Sequence, residues 1–189
     1  MIFTARITYC GPLKTLDISR GSGSGDGLAF APSWGLLHPF IANRKELQRQ
    51  SIEAKALAEP ARSWALEKIR DANEQLWEQY RRLYTAEMRV SFGALRPSSA
   101  AWGELETLAA ERGTRPWNGA WKRLLAEAAK KDVVLLCWCG KKEADRGHCH
   151  RVLLASEILP KLGLVYGGEV PPEFQPATLG GRIVKGKQQ

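Results

Sequence analysis

The chain is poor in cysteine, with four in 189 residues. That is too few for a disulfide scaffold, so a reducing, cytoplasmic setting is expected, in which clustered thiols bind metal or do thiol chemistry. No apolar run approaches the roughly 20 residues that a bilayer-spanning helix needs, and no membrane association is expected. The opening segment MIFTARITYC reads as a strand with an early arginine, not as a signal peptide. No internal repeat is present. The glycine-rich stretch RGSGSGDG, residues 20–27, has no closing lysine and fits neither phosphate-loop pattern, so it reads as a flexible surface loop. Acidic residues are outnumbered 20 to 28 by lysine and arginine, giving a net charge of +8. That balance favours an anionic partner such as nucleic acid, a nucleotide or an acidic protein, although a basic surface alone would produce it too.

What is present is an alternation of strand-like and helix-like segments. Residues 2–9 (IFTARITY) read as a first strand and residues 13–19 as a second. Ser33, after Pro32, is placed to cap a helix that Pro39 is expected to interrupt. Residues 43–59 read as helix. A long helix is predicted from about Pro60 to Met88, because Ile69, Leu76, Tyr80 and Leu83, with Trp77, Tyr84 and Met88 beside them, form one apolar stripe. Further helices are expected over about 100–111 and 115–131. DVVLLCW, residues 132–138, has the continuous apolar character of a strand buried on both faces of a parallel sheet. A helix over about 149–162 and a last strand over 164–170 follow. The expectation is a single α/β, Rossmann-like layered domain over residues 1–170. Its sheet is mostly parallel and flanked by helices, and residues 171–189 form a flexible basic tail.

In such sheets ligands sit beyond the carboxyl ends of the strands. Three of the four cysteines and two of the three histidines crowd there, between Cys137 and His150. One reading is a metal site in which Cys137, Cys139, Cys149 and His150 hold a tetrahedral zinc, with Cys10 or His148 as substitute ligands. Cys137 and Cys139 would point to opposite faces of a continuing strand. Both ligate only if Trp138 already lies in irregular backbone. A second reading is a thiol or anion site. There a helix N-terminus and positive neighbours would lower the Cys149 thiol, and Arg151 would pair with a phosphate or carboxylate. The third is ordinary packing of a buried cysteine.

The stretch VVLLCWCGKKEADRGHCHRVLLASEIL resembles the signature of the bacterial domain-of-unknown-function family 488. That signature is an apolar strand ending in cysteine, a short charged loop, and Cys-His-Arg opening a helix. FTARITYCGP with LDISR, FAPSW, EQYRRLYTAEMRVS and VYGGEV resemble other segments of the family, so the likeness covers about residues 2–170. The Cys-Trp-Cys element resembles a second uncharacterised family, number 4326, where it precedes a Cys-His pair. The resemblance implies a compact α/β domain with a site built from Cys137, Cys149, His150 and Arg151. It adds Asp17, Arg20, Ser33, Tyr84, Arg89 and Glu169 as contributors. It carries no established reaction. Each of those six has an ordinary alternative, such as a turn for Asp17, a cap for Ser33 or the core for Tyr84.

Together these readings point to a nucleic-acid- or nucleotide-directed protein, expected to be an enzyme. Cys137, Cys149 and Arg151 would be its catalytic residues and Arg151, Arg89, Arg20 and Ser33 its anion-binding residues. The alternative is a non-catalytic binding module with a structural zinc site.

Overall fold

A computed structural model describes residues 1–23, 25–92, 118–139, 147–170, 178–179 and 182–183. The predicted helix over 100–111 lies outside them. The chain divides into two compact units. The first comprises residues 1–31, 91–93 and 116–189, and the second residues 32–90 and 94–115.

The first unit holds a four-stranded, all-parallel sheet. Its strands are β1 (Ile2–Arg6), β2 (Lys14–Asp17), β3 (Val133–Cys137) and β4 (Tyr166–Glu169), in the order β2-β3-β1-β4. With helices, it makes an α/β layered fold. All five residues of β3 are buried, which is why its sequence shows no alternation. Strands β1 and β2 are joined by residues 7–13 alone, although β3 lies between them. Parallel strands usually need a dozen or more residues to connect. Here an extended segment serves, because it packs Ile7, Tyr9 and Leu13 onto Ala5, Val134, Leu136 and Val170. That apolar patch occupies the sheet face where a crossover helix would otherwise lie.

Strand β4 carries a bulge against Ile2 and Phe3 of β1. Gly168 sits there at φ 96°, a conformation that glycine adopts without a Cβ penalty. Beyond β2, a 3₁₀ turn spans Gly25–Ala29. The expected loop thus has a structured end, fixed by close backbone approach: a Cβ at Gly27 would collide with the Asp17 carbonyl oxygen. A helix over Asn118–Ala128, shorter than predicted, buries Ala120, Trp121, Leu124 and Ala128. Trp121 meets Phe30 and Phe92 edge-on, with centroids 4.8 and 5.2 Å away, and its indole N–H donates to Ser91 Oγ at 3.0 Å.

After Cys149 the chain is helical from His150 to Leu162, but not uniformly α. An α turn (His150–Leu153) passes through a π turn (Leu154–Ile158) into a 3₁₀ turn (Leu159–Leu162). Pro160, which has no N–H, falls where a continuing α-helix needs a donor. Gly163, left-handed at φ 84°, ends the segment. In the expected tail, Thr178–Leu179 (β5) and Arg182–Ile183 (β6) pair antiparallel.

The second unit contains α1 (Trp34–Lys55) and most of α2 (Ala61–Ser91). Helix α1 runs through Pro39, contrary to the expected interruption. The proline removes one hydrogen bond in the second turn, and Phe40 beside it packs on Tyr80 with ring centroids 4.3 Å apart. On α2 the fully buried row is Trp77, Tyr80, Tyr84 and Met88, while Ile69, Leu76 and Leu83 are half-buried. Glu87 interrupts this apolar row and is 3% exposed. It is held by Ser33, whose hydroxyl donates to the Glu87 carboxylate and accepts from the Leu36 N–H at 3.1 Å. Ser33→Ala therefore removes a helix cap, about 1 kcal/mol, and leaves a buried carboxylate short of one donor, about 1–3 kcal/mol. A loss of roughly 2–4 kcal/mol is expected, read as a lower urea midpoint, with Ser33→Asn expected to restore only the cap.

Candidate metal centre

The four donors expected at a metal site converge. Cys137, Cys139, Cys149 and His150 each offer one ligand atom, and these atoms lie within 4.8 Å of one another. Local structure explains how. Strand β3 ends at Cys137, and Trp138 lies in a bend. The alternation of the strand is thereby broken, and Cys139 turns back so that its N–H donates to Cys137 Sγ at 3.2 Å. Cys149 is extended, at φ −141° and ψ 132°, immediately before the helical segment. His150 and Arg151 then project from the first helical turn.

The distances suit a tetrahedral ion. Sulfurs bound at about 2.3 Å to one tetrahedral metal lie about 3.8 Å apart. Cys137 Sγ is 3.5 Å from Cys149 Sγ and 4.0 Å from His150 Nδ1. The other imidazole nitrogen, Nε2, is 3.1 Å from the Ile18 carbonyl oxygen. A carbonyl can only accept, so Nε2 carries a proton, and in a neutral ring Nδ1 presents its lone pair to the cysteines. This is how metal-ligating imidazoles are usually oriented by a second partner.

Arg151 backs the cluster. Its side chain is 0% exposed, and Nη1 donates to the carbonyl oxygens of Cys137 at 3.4 Å and Cys139 at 3.1 Å. These two carbonyls flank Trp138, so the guanidinium clamps the turn that brings Cys139 back. Nη2 donates to Glu169 at 2.8 Å. Glu169 also accepts from Thr4 Oγ at 2.5 Å, and Tyr166 Oη is 3.1 Å from the same hydroxyl. The β4 bulge aims Glu169 into this network. Arg151 was expected to bind an outside anion. Its two Nη groups hold the protein's own carbonyls and carboxylate, while its Nε is buried without a hydrogen-bond partner.

Electrostatics separate the cysteines. Hydrogen bonds from Cys139 and then Cys149, with the His150 imidazole, hold the Cys137 thiol well below its ordinary value against the effect of burial. The Cys149 thiol moves the other way. Burial, joined by the neighbouring sulfurs, pushes it well above the ordinary value, not below it as its place at a helix start suggested. For His150, burial opposes charge but the Cys137 and Cys139 sulfurs together outweigh it, raising the imidazole to about 10. Burial and the neighbouring sulfurs thus favour a protonated Cys149, and the Cys137 sulfur favours a charged His150. Ligation needs Cys149 deprotonated and His150 neutral. Metal uptake is thus expected to release at least two protons per ion, and the affinity to weaken about 100-fold per pH unit of acidification. Calorimetric titration of the metal-free protein in buffers of differing ionisation enthalpy measures this count.

The remaining expected residues are distributed as follows. Cys10 is exposed and His148 half-buried, and neither belongs to the four-ligand group. Asp17, at the end of β2, accepts from the Ser19 N–H and hydroxyl at 2.9 and 2.5 Å and from Ser22 at 2.7 Å. Arg20 follows on the same loop, half-buried. Ser33, Tyr84 and Arg89 belong to the second unit, where Ser33 is a cap, Tyr84 is core and Arg89 is exposed. Residue reasoning missed Thr4, Tyr166 and the Ile18 carbonyl. A threonine in the middle of the buried strand IFTAR is the one visible signal among them, whereas a backbone oxygen leaves none. No helix among the described residues is long and apolar enough to cross a membrane. Compared with family models, curated proteins and solved structures, the chain gives no match.

Proposed function

We propose that this is a cytoplasmic, zinc-stapled α/β module whose ligand is a nucleotide or nucleic acid. The observation that carries the metal part is the convergence of three cysteine sulfurs and His150 Nδ1 within 4.8 Å. Three thiolates and an imidazole in a tetrahedral arrangement favour zinc over harder cations. Four protein donors fill the coordination sphere, and Cys137, Cys149 and His150 are buried, which supports a structural ion over a catalytic one. The ligand part rests on the +8 charge and on a Rossmann-like reading of the parallel sheet, which puts ligands beyond its carboxyl edge. The resemblance to families 488 and 4326 is extended in the same sense: their Cys and Cys-His elements would hold this ion.

Elemental analysis of the purified, untagged protein by inductively coupled plasma mass spectrometry tests the metal. The expected result is about one zinc per chain, with few thiols titrating until a chelator is added. Metal-free protein of the same stability would overturn the reading. A second reading, an enzyme, draws on Cys139, the one half-buried donor. Its displacement would open a coordination position at the sheet edge. Cys139→Ser that keeps both zinc and fold supports that reading, and one that loses both supports the staple.

A further inference from the structure

Beside the cluster stands a tryptophan that packing does not explain. Trp138 is 63% exposed, yet its ring is not loose. The indole N–H donates to Ser22 Oγ at 2.9 Å. Ser22 donates to Asp17 Oδ2 at 2.7 Å and lies 2.6 Å from Ser19 Oγ, which itself binds Asp17. On its other side Trp138 is fixed by Cys137 and Cys139, whose carbonyls Arg151 holds. An aromatic ring is thus oriented by polar groups at its edge while much of it faces water, at the carboxyl edge of a parallel sheet.

Two arginines lie on the segments adjoining it. Arg6, the last residue of β1, lies in register with Cys137, and Arg20 lies two residues before Ser22. Both are half-buried, and the Nε of each is buried without a hydrogen-bond partner. A ring fixed at a polar edge, with arginines on the adjoining strand and loop, matches the chemistry of a nucleobase joined to a phosphate. Bases stack on aromatic rings without regard to sequence, and arginine takes phosphate through paired N–H donors.

We propose that Trp138 is the stacking platform for the base of a nucleotide or of single-stranded nucleic acid, and that Arg6 and Arg20 receive its phosphate. This assignment rests on the nucleotide or nucleic-acid ligand given above and locates it on named residues. The zinc site then has a second consequence: it positions the platform.

The test uses the full-length protein as purified, with a fluorescein-labelled oligothymidylate and with AMP as competitor, at about 50 mM salt, where phosphate contacts are strong. Zinc content is measured in every variant. Trp138→Ala is expected to weaken oligonucleotide binding about 10- to 100-fold, and Trp138→Phe to retain most of it. Arg6→Ala with Arg20→Ala is expected to flatten the dependence of log affinity on log salt by roughly 1.4, the value for two phosphate contacts on a single strand. AMP competing as well as the oligomer marks a mononucleotide site, and affinity rising with oligomer length marks a strand site; both support the platform. Binding by the wild type that Trp138→Ala leaves unchanged overturns the platform and leaves the ligand class standing. No binding of either probe by the wild type overturns the ligand class and the platform together. Should Trp138→Ala lose its zinc, the salt slope of the arginine pair decides: an unchanged slope overturns the assignment.

Discussion

On the proposed zinc staple, Cys149→Ser is expected to release the metal and unfold the sheet-bearing unit. Cys149 is 1% exposed, and its sulfur lies 3.5 Å from Cys137 at the end of the central strand. A hydroxyl there is a poor ligand for zinc, and the pocket it would occupy has been shaped for sulfur. Binding at structural zinc sites contributes about 10–16 kcal/mol, and that free energy is folding free energy. Whole domains are stable by only about 5–15 kcal/mol, so loss of the ion exceeds the margin. The expected readings are a metal content near zero and loss of the cooperative thermal transition. A chelator is expected to do the same to the wild type. Cys10→Ser, altering an exposed cysteine outside the cluster, is expected to change neither reading. A folded, metal-free Cys149→Ser protein would remove the staple from the account.

The second large effect is at Arg151. Arg151→Met retains the length of the side chain but removes three hydrogen bonds, two to carbonyl oxygens and one to Glu169. Breaking a fully buried ion pair by deleting one partner costs about 3–5 kcal/mol; Glu169, the charge left behind, is partly exposed and keeps its Thr4 donor, so about 2–3 kcal/mol is expected here. For a chain of this size that is a fall of roughly 4–12 °C in melting temperature. The metal is affected as well. Arg151 holds the turn that carries Cys139, and its charge offsets the net negative charge of three thiolates around a divalent ion. A 10- to 100-fold loss of metal affinity is expected, the usual effect of losing an outer-shell partner. Lysine is not expected to rescue either property, since a point charge cannot reach two carbonyls and a carboxylate at once. Combining Arg151→Met with Glu169→Gln is expected to recover part of the stability, by removing the orphaned carboxylate, and little of the metal affinity. Equal recovery of both would mean that Arg151 acts on the metal only through the fold.

The parts legible in the sequence were those that depend on local pattern. VVLLC announced a buried parallel strand, the α2 stripe announced a long amphipathic helix, and Ser33 announced a cap. The convergence of Cys137, Cys139, Cys149 and His150 was legible because metal donors are few in kind and three of the four cysteines lay close together. The objection that Cys137 and Cys139 should point apart was sound for a continuing strand. It failed because β3 stops at Cys137, an event fixed by Arg151 from twelve or more residues away and hence invisible in the Cys-Trp-Cys triplet. The internal contacts of Arg151 are hidden in the sequence for a similar reason. A sequence shows that an arginine follows Cys-His, but burial decides whether its donors meet a ligand or the protein's own backbone. Pro39 was overweighted, because propensity counts the lost hydrogen bond and not the aromatic packing of Phe40 next to it.

The short link between β1 and β2 has a consequence for how the protein is made. Those strands leave the ribosome almost together, yet they flank a vacant lane that only β3 can fill. Residues 18–132 must be synthesised first. At 5–20 residues per second that is on the order of ten seconds. Throughout that interval β1 and β2 lack the strand that pairs with both, and their unpaired edges are the kind of surface that invites pairing with other chains. The sulfurs that could lock the gap shut arrive later still, with Cys149. The seven-residue shortcut that covers one sheet face so economically thus leaves β1 and β2 waiting for the strand that joins them.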